Sequence, residues 1–389
     1  MYDVVVVGAG LSGCILARKC AEELNKKVLI IEKRNHIAGN LYDEKDENGI
    51  LVQKYGPHFF TSDEWWIMEY LMQFGEWYVW QPRAMSWVDG KYLWRPYNFH
   101  TAQQLLGPKK SFDIIKKMRN IYRGRKHVSV YELINHEDKE IAAYGNLLYE
   151  KLFIPYCAKQ WGVKPEEIER SIVERTKISM GYDWQLGEEI DFQYLPKDGY
   201  TKIIANMINY ENIEIKLETE ALDYISFNGE KLLFDNQEIP LVIYTGEIDQ
   251  LFQCKWGQLP YRSRYFEYKT FNNVGHELPV EVITYPQEEE YIRKTEFKRF
   301  NNVNEYIEKT VIADEYSVPY NKEAQIGNEP YYPINNAESK KLYEEYYKES
   351  KKYQNLIICG RLAEFKYLDM FTIVKNDFAI FEEIKKIFS

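Results

Sequence analysis

Val4-Val5-Val6-Val7-Gly8-Ala9-Gly10-Leu11-Ser12-Gly13 is the stretch that decides the fold. Four β-branched residues in a row, stopped by glycine, read as a strand buried on both faces of a parallel sheet. Leu11 to Leu24 reads as a helix, and Lys27 to Ile31 is a second apolar strand that ends at Glu32. The three make a βαβ unit. Its glycines permit a tight turn, approach of the backbone to a pyrophosphate, and close packing of helix on strand. The helix start contributes free N–H groups and the positive end of its dipole. Glu32 stands where a carboxylate accepts hydrogen bonds from an adenosine ribose. Gly8, Gly10, Leu11, Ser12, Gly13 and Glu32 are thus the first candidate cofactor residues.

Two features beyond Glu32 favour FAD over NAD. Glu32-Lys33-Arg34 leads into Ile37-Ala38-Gly39-Asn40, a second glycine turn placed to meet a flavin diphosphate. A late apolar strand, Leu356 to Gly360, is followed by Arg361 and returns the chain to the same cofactor. An NAD site needs neither feature.

Beyond this unit the pattern predicts a Rossmann-like α/β domain with an inserted helical domain and a twisted antiparallel sheet. Ile50 to Tyr55 reads as a short strand, and Ala84 to Leu93 as a hairpin turning at Asp89-Gly90. Thr101 to about Gln160 turns helical, with Phe112, Ile115, Met118 and Tyr122 spaced for one apolar face. Gly199 to Tyr210 is a helix, and Ile213 to Leu217 and Leu241 to Thr245 are strands flanking a hairpin-like stretch. Tyr261 to Tyr316 alternates as an antiparallel sheet, and Asp377 to Phe388 closes the chain as a helix. The expected division is a discontinuous cofactor domain of 1–80, 195–250 and 350–389, a helical domain of 98–180, and a sheet domain of 81–97 with 251–349.

At 389 residues the chain has room for two or three such parts. Its net charge of −10 argues against a nucleic-acid partner, which would favour a basic domain. Thirty-three tyrosines and nine tryptophans supply flat faces with polar tips, suited to rings and phosphates. The five cysteines (Cys14, Cys20, Cys157, Cys254, Cys359) lack metal-like spacing, which predicts no metal site and a reduced, cytoplasmic setting. The start lacks a basic n-region, so no signal peptide is expected, and no apolar run is long enough to span a bilayer.

Several stretches in register carry a resemblance: Glu32-Lys33-Arg34-Asn35-His36-Ile37, Tyr55-Gly56-Pro57-His58, Lys159-Gln160-Trp161-Gly162, Gly199-Tyr200-Thr201-Lys202, Tyr244-Thr245-Gly246, Glu329-Pro330-Tyr331-Tyr332-Pro333, and Gly360 to Glu364 with Tyr367 and Asp369-Met370. Across essentially its whole length the chain resembles the bacterial UDP-galactopyranose mutases. The resemblance implies an isomerase active only with reduced FAD. Flavin N5 would bond to the anomeric carbon as the nucleoside diphosphate leaves, and the sugar would reclose as a furanose destined for surface polysaccharide. It also implies a homodimer.

By the same resemblance Lys33, Gly39, Asn40, Gly246, Arg361, Asp369 and Met370 join the cofactor set, and His58 sits beside the flavin. Arg175 and Arg293 match the diphosphate arginines, whose planar fork suits phosphate oxygens. As bare residues, Arg175 lies in a charged run from Glu166 to Lys177, and Arg293 fits a strand face near Glu290 and Glu296. Tyr316 and Tyr367 match phosphate-contacting tyrosines, Phe153 and Tyr156 the base-stacking position, and Trp161 a tryptophan bordering the sugar. Tyr332 belongs to the same substrate set.

Three positions depart from the family pattern. His58-Phe59-Phe60-Thr61 lacks the second histidine of His-x-Phe-His, and Trp94-Arg95-Pro96 replaces Asn-Leu-Pro. Leu186, with Trp184 nearby, stands for the mobile-loop tyrosine. The departures read either as drift within one specificity or as an altered substrate met by Thr61 and Trp94. UDP-N-acetylgalactosamine, UDP-arabinopyranose, dTDP-fucose and a heptose are the alternatives. A flavin oxidoreductase of the amine-oxidase superfamily is the rival reading. A non-catalytic nucleotide-sugar binder comes third.

Overall fold

The structure, a computed structural model, describes residues 2–174, 176–184, 190, 192–272, 275–287, 289–300 and 307–389. The opening valines form the middle of a five-stranded parallel sheet, in the order Ile213–Lys216, Val28–Ile31, Val4–Val7, Leu241–Tyr244, Leu356–Ile358. Strand side chains alternate between faces, so one run of valines feeds two cores. Val4, Val6, Val28 and Ile30 pack with Cys14 and Ile15 of the first helix, whereas Val5, Val7, Leu29 and Ile31 pack with Leu232, Phe234 and Tyr346. Burial on both faces is why these strands read as unbroken apolar runs. The helix Leu11–Leu24 is itself covered by helices Tyr200–Ile208 and Met370–Phe388.

Two caps fix how these helices begin. The Asp43 carboxylate accepts the backbone N–H of Tyr200 (2.7 Å) and of Thr201 (3.0 Å), the first turn of Tyr200–Ile208. Gly199 must be glycine there, because its φ is +89° and a Cβ would lie 2.6 Å from that carboxylate. The last helix starts at Met370, earlier than the expected Asp377, because the Asp369 side chain accepts from the Thr372 N–H at 2.8 Å. Asp377 instead lies buried inside the helix, facing Ser12.

Residues 99–161 form the helical part, from Phe99–Leu106 and Pro108–Ile121 to Lys139–Leu148 and Ile154–Trp161. They enclose a separate core containing Ile115, Met118 and Tyr122. Phe112 does not join that stripe. Successive residues turn by 100°, and the buried set of Pro108–Ile121 is Ser111, Ile114, Ile115 and Met118, which leaves Phe112 68% exposed.

The third part is a seven-stranded sheet in the order Tyr332–Pro333, Tyr261–Phe271, Thr310–Pro319, Arg293–Glu296, Val282–Thr284, Ala84–Val88, Lys91–Arg95. The hairpin at Asp89-Gly90 is present and joins this sheet. One junction departs from the antiparallel expectation: Val282–Thr284 runs parallel to Ala84–Val88. A short turn forces antiparallel pairing, and these two strands come from distant parts of the chain, so no turn fixed their direction. Cross-strand register assigns the faces. Arg95, Arg262, Arg264, Thr284, Arg293, Glu315 and Ser317 share the inner face, and Met85, Trp94, Tyr265, Lys294, Asp314 and Tyr316 share the outer one. Among the described residues no helix is long and apolar enough to cross a membrane.

Candidate active site

All four strands that bound the glycine turns end at one cleft, as expected for ligand binding at the carboxyl edge of a parallel sheet. Val7 passes into Gly8, Ile31 into Glu32, Tyr244 into Thr245-Gly246, and the last strand into Gly360-Arg361. The cleft encloses about 1300 Å³ of empty space including its open mouth, ample for a dinucleotide. Gly8, Gly10, Leu11, Ser12, Gly13, Glu32, Lys33, Gly39, Asn40, Gly246, Arg361, Met370 and His58 line it.

Each glycine of the turn has a separate steric reason. Gly8 has φ +103°, and a Cβ there would sit 2.2 Å from the Thr245 hydroxyl, which donates to the Val7 carbonyl. A Cβ on Gly13 would lie 2.1 Å from the Gly8 carbonyl oxygen, so helix and strand approach only without it. Gly10 has nothing within 4 Å of an added Cβ: it faces open cleft. Gly39, with φ +55°, lays the second turn against the Gly10 Cα, 3.0 Å from where its Cβ would be. This bare backbone cradle fits a pyrophosphate.

Around the cradle the polar groups are tied down. The buried Glu32 carboxylate accepts the N–H groups of Ala9 and Arg34, each at 2.9 Å, which fixes it at the cleft with lone pairs to spare. Arg34 donates to Asn40 Oδ1 at 3.1 Å and pairs with Glu329 at 2.5 Å, pinning the second turn. Lys33 reaches the cleft 3.9 Å from Glu247. The Ser12 hydroxyl is taken by Asp377 at 2.5 Å, so Ser12 offers a phosphate its backbone N–H. Burial pushes the Asp377 carboxyl well above the usual carboxylate range. Asp369 is absent from the lining, and its side chain serves as the helix cap.

Beyond the glycine turns, the inner face of the large sheet supplies charge. Glu315, almost fully buried, sits between two arginines: Arg293 Nε donates at 2.6 Å and Arg264 Nε lies 3.2 Å from the other oxygen. Arg264 also donates to the Gln160 carbonyl, and its guanidinium lies 5.0 Å above the Tyr332 ring. Arg361 sits over the same ring at 5.4 Å and over Tyr367 at 5.2 Å, while donating to the Leu368 carbonyl. Arg262 donates to the Ser317 hydroxyl at 3.0 Å and packs on Gly162, where a Cβ would collide with it. Burial, then the neighbouring Arg264 charge, lowers the Arg262 pKa to about 10. Tyr332 stacks on Tyr367 (5.5 Å) and lies near Trp161 (6.0 Å), and Arg95 covers Tyr156 at 5.2 Å.

His58 joins the two halves of the site. Its Nδ1 donates to the Gly56 carbonyl at 2.8 Å, since a carbonyl can only accept, which leaves Nε2 as an acceptor. Gly56 packs on Phe266 and Arg293, so the turn carries His58 to the arginines. Burial, with the Arg361 and Arg293 charges, lowers the His58 pKa from 6.5 to about 4. The unfolded chain therefore takes up this proton first, and its contribution to stability is lost as pH falls from 6.5 towards about 4. NMR titration of labelled imidazoles is expected to find one histidine still neutral at about pH 5 that His58→Gln removes; a full set of ordinary midpoints near 6.5 would contradict this placement.

The expected substrate residues divide. Arg293, Tyr332, Tyr367, Trp161 and Tyr156 gather at this charged end of the site, and Phe153 packs edge-on against Tyr97 at 5.3 Å in the helical core. Tyr316 does not join them. It lies on the outer face, with its ring near Tyr265 and Tyr291 and its hydroxyl donating to Glu267 at 3.2 Å. Trp94 is also on the outer face, against Trp184 at 5.7 Å, while its neighbour Arg95 points inward. Thr61 lies in the strand Phe60–Ser62 opposite Gln193 and is not part of the cleft lining. Arg175 and Leu186 lie outside the described residues. Arg262, Arg264 and Glu315 are additions. Their signal was the alternation Arg262-x-Arg264 on one strand and Glu315-x-Ser317 on its partner.

A glycine cradle joined to a buried arginine face has a counterpart among known proteins. Residues 151–367 match the family model described as UDP-galactopyranose mutase. The chain belongs to the UDP-galactopyranose mutase family. Residues 6–74 match the NAD(P)-binding Rossmann-like domain. A UDP-galactopyranose mutase of Mycoplasma pneumoniae is 32% identical, covering 98% of this chain and 96% of that one. The dTDP-fucopyranose mutase of Escherichia coli is 31% identical, covering 97% and 96%. A crystal structure of reduced UDP-galactopyranose mutase superposes with a TM-score of 0.71 at 16% identity, covering 100% of this chain and 94% of that one, a likeness of fold. Membership makes the chain an isomerase that interconverts pyranose and furanose forms of a nucleotide sugar.

Proposed function

We propose that this mutase works on a nucleoside-diphosphate hexose with reduced FAD held in the glycine-lined cleft, and that the inner arginine face grips the diphosphate. The observation that carries this reading is the charge balance of that face. Arg95, Arg262, Arg264, Arg293 and Arg361 gather around Tyr332 and Tyr156, and Glu315 is the carboxylate that pairs two of them. Positive charge in such excess, buried at Arg262 and Arg264 and half-buried at the other three, suits a dianionic leaving group.

When bound, reduced flavin supplies a nucleophilic nitrogen for the anomeric carbon. The chain's own residues do the rest. Arg293, preorganised by Glu315, stabilises the charge that grows on the departing diphosphate. Tyr332 and Tyr367 hydroxyls donate without adding charge. His58 stays neutral and offers Nε2 as an acceptor beside the flavin end. Tyr156 gives the base a stacking face. The five cysteines are free, which suits a cytoplasmic enzyme supplying furanose units.

The specificity position moves by one residue from the sequence reading. Trp94 faces the outer side of the sheet, whereas Arg95, where the family pattern has leucine, lies on the inner face over Tyr156, and this favours Arg95 as the departure that meets substrate. Charge-assisted hydrogen bonds contribute about 1.5–3 kcal/mol. Arg95→Leu should therefore lower kcat/KM by about tenfold to a hundredfold, while Trp94→Asn changes it less than about threefold. The measurement is turnover of dithionite-reduced holoprotein on UDP-galactose, dTDP-fucose, UDP-N-acetylgalactosamine and UDP-arabinopyranose, with products read by NMR. No ring contraction of any of the four, or equal turnover by oxidised protein, overturns the function. A larger effect at Trp94 than at Arg95 overturns the specificity assignment.

A further inference from the structure

The helix Pro108–Ile121 carries a surface that neither the fold nor the site uses. Between residues 108 and 126 stand eight cations (Lys109, Lys110, Lys116, Lys117, Arg119, Arg123, Arg125, Lys126) and one acid, Asp113, in a chain of net charge −10. Two of the eight are structural. Lys117 pairs with Asp138 and Glu140, and Arg125 with Glu132. Arg119 lies over the rings of Phe99 and Tyr182. Lys109, Lys110, Lys116, Arg123 and Lys126 are exposed and form no ion pair among the described residues.

Their placement works against the helix itself. Lys109 and Lys110 occupy the first turn, where the dipole disfavours cations, and no acid stands there to offset them. At 100° per residue, Lys109, Phe112 and Lys116 fall on the solvent side, away from the buried Ser111, Ile114, Ile115 and Met118, and Arg123 is exposed in the turn that follows the helix. Phe112 is 68% exposed amid these charges, and Ile121 is 41% exposed beyond them. A benzyl side chain ringed by unpaired lysines on a convex helix is the pattern of a face that rests on an anionic bilayer. A single-strand-binding surface sets its stacking aromatics along a charged groove that tracks the backbone, whereas Phe112 stands on the outside of one helix.

We propose that this face docks the enzyme peripherally on membranes rich in anionic lipid, with Phe112 entering the headgroup layer and Lys109, Lys116 and Arg123 bound to lipid phosphates. The surface is independent of the catalytic reading, since it shares no residue with the cleft.

Sedimentation of the full holoprotein with vesicles tests it, comparing pure phosphatidylcholine with a mixture containing about one third phosphatidylglycerol. Partitioning should favour the anionic vesicles and weaken as salt rises from about 0.05 to about 0.3 M. Each cation near an anionic surface is worth about fivefold, so the Lys109→Glu, Lys116→Glu, Arg123→Glu triple variant should lose well over tenfold. Phe112→Ser should lose about fivefold with its charge intact. All four side chains are exposed, so circular dichroism and bound cofactor should match the parent. Equal partitioning to both vesicle types overturns the proposal, as does an undiminished triple variant. So does tight binding of a single-stranded RNA oligomer by protein that ignores anionic vesicles.

Discussion

Arg293→Ala is expected to lower kcat by about 10²–10³, the usual loss when one preorganised donor to a developing oxyanion is removed, about 2.7–4 kcal/mol. The geometry separates this from a folding defect. Arg293 retains 23% exposure at the cleft, and without it Glu315 keeps Arg264 as its partner. The site loses its clamp while the core keeps a paired carboxylate. Arg293→Lys restores the charge without the fork that spans two oxygens, so it should recover part of the rate. Steady-state kinetics with thermal melts decide the matter: a loss under about tenfold in a stable protein would remove Arg293 from the clamp.

Glu315→Ala should do the reverse and cost the fold most. Arg264 is 1% exposed and Glu315 3%, so the variant leaves one guanidinium buried without its counter-charge and a second beside it. Breaking a buried pair by removing one partner typically costs about 3–5 kcal/mol. Glu267→Gln is the matched control, one strand away on the outer face, where its side chain is 40% exposed. Surface changes of that kind stay within about 0.5 kcal/mol. A melting temperature lowered equally by the two substitutions would mean that the triad contributes nothing beyond an ordinary surface pair.

Much of this site was legible because its chemistry is local. The turn from Gly8 to Gly13, Glu32 and the second turn at Gly39 lie within one βαβ unit, where spacing along the chain equals position in space. Sheet faces are less forgiving, because a shift of one residue moves a side chain to the opposite side. Trp94 and Arg95 show it: Trp94 lies on the outer face against Trp184, and its neighbour Arg95 lies on the inner face over Tyr156. Tyr316 stands one residue from Glu315 and so on the opposite face, and Tyr332 comes to the inner side from a different strand. Phe112 fits an apolar repeat with Ile115 and Met118, yet the core seats Ile114 and Ser111 instead. Position within a repeat does not tell which side of the helix the rest of the protein covers. The parallel junction of Val282–Thr284 with Ala84–Val88 had no local signal at all, since its partners stand far apart in the chain.

The order of strands in the parallel sheet has a consequence for synthesis. Val4–Val7 needs Leu241–Tyr244 on its other side, and the first helix, which also packs on Tyr200–Ile208, is only partly covered until Met370–Phe388 has been made. At ~5–20 residues per second the ribosome takes roughly ten seconds or more to bridge the first of these gaps. Throughout that interval Val4–Val7 stands at an open sheet edge, the kind of edge that invites wrong pairing. The closing contacts are Val374, Asp377 and Phe381 beneath the glycine turn. A chain released before them has one side of its first helix uncovered and its Ser12 hydroxyl without Asp377.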